Sequence, residues 1–136
     1  MLDRSTPSGA KGAALIEGAY VAWLTTVRAN GQPQSSPVWF VIDGDDFLIY
    51  SLPDTARTAN LDANPRVSLN LDSNAGSDVV VVEGTAKIVD GPRSVDHPGY
   101  QEKYREGMPR IGHTPESFAD RYSIPIRVTP IRWRIH

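Results

Sequence analysis

The chain predicts a mainly β protein, a small antiparallel β-barrel with helices at its periphery. Three observations predict this. Runs with strand character outnumber helical ones, short turns of hairpin chemistry join them, and strands do not alternate with long helices as a parallel βαβ sheet requires. The 136 residues, 40% hydrophobic and 22% charged, fit a single domain spanning 1–136 with one core.

Residues 1–9 are polar, contain Pro7 and Gly9, and read as a loose arm. Ala10 to Gly18 follows as a short helix with Ala13, Leu15 and Ile16 available for packing. Tyr20 to Val27 is β-branched and aromatic, hence a strand, and it ends in Ala29-Asn30-Gly31-Gln32. Asn-Gly is the strongest short-range hairpin signal, because both residues tolerate the left-handed turn conformation. Gln34 to Ile42 is the return strand, and Pro33 and Pro37 put part of it at an edge or bulge because proline cannot donate to a ladder. Asp43-Gly44-Asp45-Asp46 turns the chain into a third strand, Phe47 to Leu52.

Asp54 or Thr55 then caps a helix reaching about Ala63, and Asn64-Pro65 stops it, since the residue before proline is pushed out of helical geometry. Arg66 to Asp72 and Val79 to Asp90 form another hairpin around the loop Ser73–Asp78. The apolar run Val79 to Val82 suits a strand covered on both faces, in a barrel wall or at a subunit contact. After Gly91-Pro92, Tyr100 to Glu106 and Pro115 to Tyr122 read as helices, the second with Thr114 as its cap and Pro115 at its first position. Ile126 to Ile135 alternates as a final strand broken at Pro130. The count is about six strands and three or four short helices.

Composition narrows the function. A net charge of −2 gives no general attraction to nucleic acid or an anionic membrane, so any positive site is local. There is no cysteine, which removes disulfides, thiolate nucleophiles and cysteine metal sites and fits a reducing compartment. The first residues lack a signal-peptide core and no later stretch is long and apolar enough to span a bilayer, so the expected location is cytoplasmic. His97, His113 and His136 have no metal-ligand spacing, and no nucleophile-elbow pattern is present.

The segment Pro37 to Val67 carries the most specific chemistry. It delivers Ser51, Thr55, Arg57, Thr58 and Asn60 to the start of a helix, where free N–H groups and the helix dipole favour an anion. Arginine's planar fork matches phosphate oxygens. Two readings of these residues stay open, a phosphate cradle and a capped helix with one solvated arginine. Gln34, Ser35, Ser36, Pro37, Val38 and Trp39 lie on a proline-interrupted strand whose free backbone groups suit a flat heteroaromatic ring, or which is simply an edge strand with Trp39 in the core. Tyr100, Tyr104, Arg105, Met108 and Arg110 read as a lid over a substrate mouth or as packing residues of their helix. Arg127, Arg132 and Arg134 read as solvated edge charges or as partners of an acidic ligand.

Taken in order, Asn30-Gly31-Gln32-Pro33-Gln34, Pro37-Val38-Trp39-Phe40, Ser51, Arg57-Thr58-Ala59-Asn60-Leu61, Asn64-Pro65-Arg66-Val67 and Val82-Glu83-Gly84-Thr85-Ala86 form one pattern, which Arg127-Val128-Thr129-Pro130 completes. It resembles the flavin-binding split-barrel superfamily typified by pyridoxamine 5′-phosphate oxidase, and within it the small coenzyme F420-dependent oxidoreductases. The resemblance implies a six-stranded split barrel of the FMN-binding type and a homodimer with cofactor sites at the interface. It implies that Gln34, Ser35, Ser36, Pro37 and Val38 border the ring and ribityl chain, and that Ser51, Leu52, Arg57, Thr58 and Asn60 border the phosphate. The implied cofactor is F420, an 8-hydroxy-5-deazaflavin, with FMN as the alternative. The implied activity is hydride transfer to a small-molecule substrate, with no side chain singled out as catalytic. An FMN-dependent oxidase or flavin reductase and a non-catalytic ligand-binding barrel are the other readings. Two positions depart from the pattern: Arg57 stands where lysine is common, and Ala59 where arginine often stands. Selectivity for the acceptor is expected in the loop from Gly91 to Thr114.

Overall fold

The computed structural model describes residues 2–136, and their side chains apart from those at 72–74. Seven strands form one antiparallel sheet, where the sequence indicates six. They are β1 (Ala22–Val27), β2 (Pro33–Val38), β3 (Val41–Asp43), β4 (Asp46–Ser51), β5 (Arg66–Ser73), β6 (Asp78–Ile88) and β7 (Ile124–Ile135). Their order across the sheet is β2-β1-β5-β6-β7-β4-β3.

The additional strand comes from a break that no glycine or proline announces. The run read as one strand, Gln34 to Ile42, is cut at Trp39 and Phe40, and its halves become the two opposite edges of the sheet. Three Cα–Cα steps cover at most about 11 Å, whereas the edges of a flat seven-stranded sheet lie about 29 Å apart. The sheet therefore curls until its edges meet, giving a barrel left open along the β2–β3 seam. At that seam Phe40 makes its backbone hydrogen bonds with side chains. Its N–H donates to Tyr104 Oη at 2.8 Å, and its carbonyl accepts from Lys103 Nζ at 2.8 Å.

Inside the curl, alternate residues of every long strand form the core, among them Leu24, Phe47, Ile49, Leu69, Val80, Val82, Ile126 and Val128. The strand β4 is buried on both faces. Phe47 and Ile49 point into the barrel, while Leu48 and Tyr50 pack outside it against Val41, Tyr100, Tyr104, Met108 and Phe118. The valine run of β6 is covered on one face only: Val80 and Val82 are fully buried, and Val79 and Val81 are half-buried on the outside.

The hairpin β1–β2 forms where Asn-Gly indicates, with Gly31 at φ 89° and Arg28 N–H donating to Gln32 O at 2.9 Å. Pro130 does not break β7. Instead the ladder shifts register, Gly84 facing Pro130 and Glu83 facing Arg132, so that Ile131 is the extra residue and is 71% exposed. A side chain on Gly84 would place Cβ 2.4 Å from Thr129 O, so only glycine lets the bulged strand approach this closely.

Four α-helices surround the barrel: α1 (Pro7–Gly18), α2 (Ala56–Ala63), α3 (Pro98–Tyr104) and α4 (Pro115–Arg121). The expected loose arm is shorter than residues 1–9. The helix α1 starts at Pro7, because Thr6 Oγ1 accepts from Gly9 N–H at 3.0 Å and proline needs no partner at the first position.

Candidate functional site

The site is built where β2, the end of β4 and the start of α2 converge. Asp54 adopts φ 55°, a left-handed conformation rare outside glycine, and this sharp turn lets α2 begin five residues after β4 ends at Ser51. Thr55 and Thr58 cap the helix reciprocally: Thr55 Oγ1 accepts from Thr58 N–H at 3.3 Å, and Thr58 Oγ1 accepts from Thr55 N–H at 3.2 Å. The Thr58 hydroxyl thus serves the cap of its own helix.

Arg57 is the centre of the site. One terminal guanidinium nitrogen donates to Ser51 Oγ at 2.9 Å, and the other donates to Ser36 Oγ at 2.8 Å. Its Nε is buried and has no hydrogen-bond partner. Among the described residues no carboxylate pairs with it, and burial pushes its pKa down, although an arginine so placed stays charged. One turn further along α2, buried Asn60 donates from Nδ2 to Thr26 Oγ1 at 3.0 Å and to Gln34 Oε1 at 2.9 Å. The helix is thereby tied to β1 and β2 by side chains from both its first and second turns.

Two cavities meet at Arg57. The smaller, of about 180 Å³, is polar and is lined by Thr26, Gln34, Ser35, Ser36, Thr55 and Ala56 together with Arg57. The larger, of about 310 Å³, runs from Pro37, Val38 and Leu52 to a wall of aromatic residues from α3 and α4. The structure thus brings Ser36, Ser51 and Arg57 into direct contact, pairs Gln34 with Asn60, and sets Pro37, Val38 and Leu52 around the second cavity. Ser35 shares a hydrogen bond of 2.7 Å with Thr25 and reaches only the polar cavity. Ser36 lines the polar cavity, where Arg57 donates to it.

Of the aromatic wall, sequence reasoning named Trp39, Tyr100 and Tyr104, each with a packing reading beside the functional one, and missed Tyr50, Phe118 and Tyr122. Tyr104, Trp39, Phe118 and Tyr122 form a column of near-parallel rings, with successive centroid distances of 4.5, 5.4 and 4.2 Å and interplanar angles of 4°, 19° and 11°. Tyr50 and Tyr100 meet edge to face at 4.9 Å beside it. Tyr50 donates to Pro92 O at 2.8 Å, and burial raises its pKa to about 12. The spacing of Phe118 and Tyr122 at i, i+4 was the available signal, but it is shared by any helix that packs on a core. Met108 is buried in this cluster, while Arg105 and Arg110 are exposed and line neither cavity. Outside the cluster, Arg93 holds α4 through Glu116 and Asp120, and Arg127 ties the β3–β4 turn through Asp43 and Asp46. Among the described residues no helix is long and apolar enough to cross a membrane.

Curled sheet, open seam and peripheral helices define a split-barrel protein. The family model described as pyridoxamine 5′-phosphate oxidase matches residues 9–135, and the chain belongs to that family. A solved F420 reductase is similar at 26% identity, with a TM-score of 0.67 over 89% of this chain and 94% of its own. A conserved hypothetical protein of Mycobacterium tuberculosis aligns with a TM-score of 0.75 and 22% identity over 96% of this chain and 84% of its own. The heme storage protein HutZ of Vibrio cholerae shares the fold at 17% identity, with a TM-score of 0.67 over 90% of each chain.

Proposed function

We propose that the chain is an F420-dependent oxidoreductase that binds the phosphate end of its cofactor at Arg57 and reduces a small-molecule acceptor. The observation that carries this reading is the half-buried guanidinium of Arg57, its two terminal nitrogens held by Ser36 and Ser51, its Nε unpaired and no carboxylate beside it. A cation withdrawn from water without a counter-charge is unfavourable. An anion at the start of α2 relieves that, with the helix N–H groups adding to the attraction. The donor set fits a phosphate, so the fold's usual ligand class and this chain's residues agree.

When bound, a reduced deazaflavin supplies a hydride. The residues of this chain bind, orient and exclude water. Ser36 and Ser51 hold the guanidinium fork, Asn60 and Gln34 fix α2 against β2, and Pro37, Val38 and Leu52 shape the path from the phosphate end toward the aromatic cavity. The similarity to the F420 reductase favours the deazaflavin over FMN, which shares the tricyclic ring, ribityl chain and first phosphate. The chain is expected to act as a homodimer. Trp23 on β1 and Ile131 on β7 are exposed apolar side chains that a subunit contact could cover.

Titration of the purified protein with F420 and with FMN tests the reading. Saturable quenching by F420 is expected, weakened by about 1–3 kcal/mol in Arg57→Ala. A chain that binds FMN alone, or an unchanged affinity in Arg57→Ala, would overturn it.

A further inference from the structure

The larger cavity is walled mainly by apolar side chains, and most of its polar side-chain atoms are already spent. Tyr50 donates to Pro92 O, Arg57 is held by Ser36 and Ser51, and the Tyr100 oxygen is sealed off from solvent. Tyr122 differs. Its hydroxyl makes no hydrogen bond among the described residues, yet it is not occluded: the oxygen of this half-buried residue is open to solvent.

Where this hydroxyl points follows from its neighbours. A charge on the Tyr122 oxygen acts on both Arg57 and Tyr100, which line the same cavity, so the polar end of the ring lies on the cavity side. The ring itself is held in place. Phe118 stacks on it at 4.2 Å, His113 meets it nearly perpendicular at 5.8 Å, and the Tyr122 N–H donates to Phe118 O at 2.7 Å. A donor fixed in advance gives up little freedom when it binds. Charge sets the direction of its proton. The guanidinium attracts the phenol oxygen and repels the phenol hydrogen, which turns the O–H away from Arg57. No carboxylate or amide side chain lines the cavity to take that proton, and the Trp39 indole offers only another donor. The matching oxygen therefore has to come with the ligand.

We propose that this cavity binds a small, largely apolar molecule bearing a carbonyl oxygen, and that the Tyr122 hydroxyl donates to that oxygen and selects for it. Val38, Leu52 and Ile111 receive the apolar body. As the place where the acceptor docks, the cavity rests on the cofactor reading above; as a binding site it stands on its own geometry. Tyr122 is then a specificity-determining residue supplied from the end of α4, while the segment between Gly91 and Thr114 contributes the apolar wall at Ile111.

A matched pair of probes tests this. Acetophenone and α-methylstyrene have the same shape and differ in a carbonyl oxygen replaced by a methylene group. Their affinities are measured on the full chain by NMR titration, following the Trp39 indole N–H and the Ile111 methyl groups, both in the cavity wall. Both probes are expected to move these signals in the wild type. Tyr122→Phe keeps the ring, so it should weaken the ketone about three- to tenfold, the effect of one neutral hydrogen bond. The hydrocarbon should bind that variant as before, which also reports that the cavity is intact. Ile111→Trp narrows the cavity and should weaken both probes. No binding of either probe, an undiminished ketone affinity in Tyr122→Phe, or equal losses of both probes in that variant would overturn the proposal. Undiminished binding in Ile111→Trp would put the probes elsewhere and overturn it as well. The cofactor titrations are read separately. A Tyr122-dependent ketone affinity without F420 or FMN binding would remove the cofactor reading and leave the pocket, while cofactor binding without that dependence would remove the pocket alone.

Discussion

Arg57 illustrates how one side chain was legible in kind but not in setting. Its position at a helix start, after Ser51 and before Asn60, suggested an anion site, and its type fits phosphate. What the sequence does not contain is the second contact, Ser36, which lies 21 positions away and reaches Arg57 only because the sheet curls. Tyr104 gives a sharper case. Sequence spacing marked it as a packing residue, and it is fully buried, yet its hydroxyl accepts from Phe40 N–H at 2.8 Å and lies 2.7 Å from Tyr20 O and 2.9 Å from Phe40 O, one of which takes its proton. Removing that oxygen leaves the Phe40 N–H buried without a partner. Tyr104→Phe should therefore lower stability by about 1–3 kcal/mol, measured as a shift in the urea midpoint. A variant as stable as the wild type would mean that water replaces the hydroxyl at the seam.

At the scale of elements, the local signals were strong wherever caps and turns decide the structure. Thr55, Thr114 and Gly31 each sit where the sequence put a helix start or a hairpin turn. The failures are places where tertiary contacts replace local ones. β2 and β3 read as one strand because Trp39 and Phe40 are good strand formers, and the interruption comes from Tyr104 and Lys103, more than 60 residues downstream. Pro130 read as a break because the bulge that accommodates it depends on Gly84 in a different strand. The cap of α2 is testable at this scale. Thr55→Ala removes the acceptor for Thr58 N–H and half of the reciprocal cap, so it should cost about 1 kcal/mol of stability. It should also weaken cofactor binding, since the helix start would fray beside Arg57. Lost stability with unaltered F420 affinity would show that the phosphate does not sit at this end of α2.

For the molecule as a whole, the feature with most consequence is the seam, where the barrel edges meet and α3 is fastened across them. Lys103 supplies the charged part of that fastening. Its ammonium donates to Phe40 O, lies 3.8 Å from the centroid of the Phe40 ring and 5.0 Å from that of Tyr104, and has no carboxylate partner among the described residues. The carbonyl and the ring faces favour the charged form, but burial outweighs them and pushes the pKa down from 10.5 to about 8. The sign of the pH dependence follows. Below pH 8 both folded and unfolded chains hold the proton, and the folded state bears the full penalty of a half-buried ammonium. Between about 8 and 10.5 the folded chain releases its proton while the unfolded chain keeps it, so stability attributable to Lys103 rises with pH across that window and is constant above it. A neutral amine still donates to Phe40 O, which keeps the seam tied. Lys103→Met, of similar length and without charge, removes this dependence. Melting temperatures of the two proteins, recorded from pH 7 to 11, should therefore diverge in one direction, the wild type gaining on the variant between about 8 and 10.5, with contributions from other titrating groups cancelling in the difference. Parallel curves would mean that the ammonium is as well solvated in the folded chain as in the unfolded one, and that the seam is held by Tyr104 and packing alone.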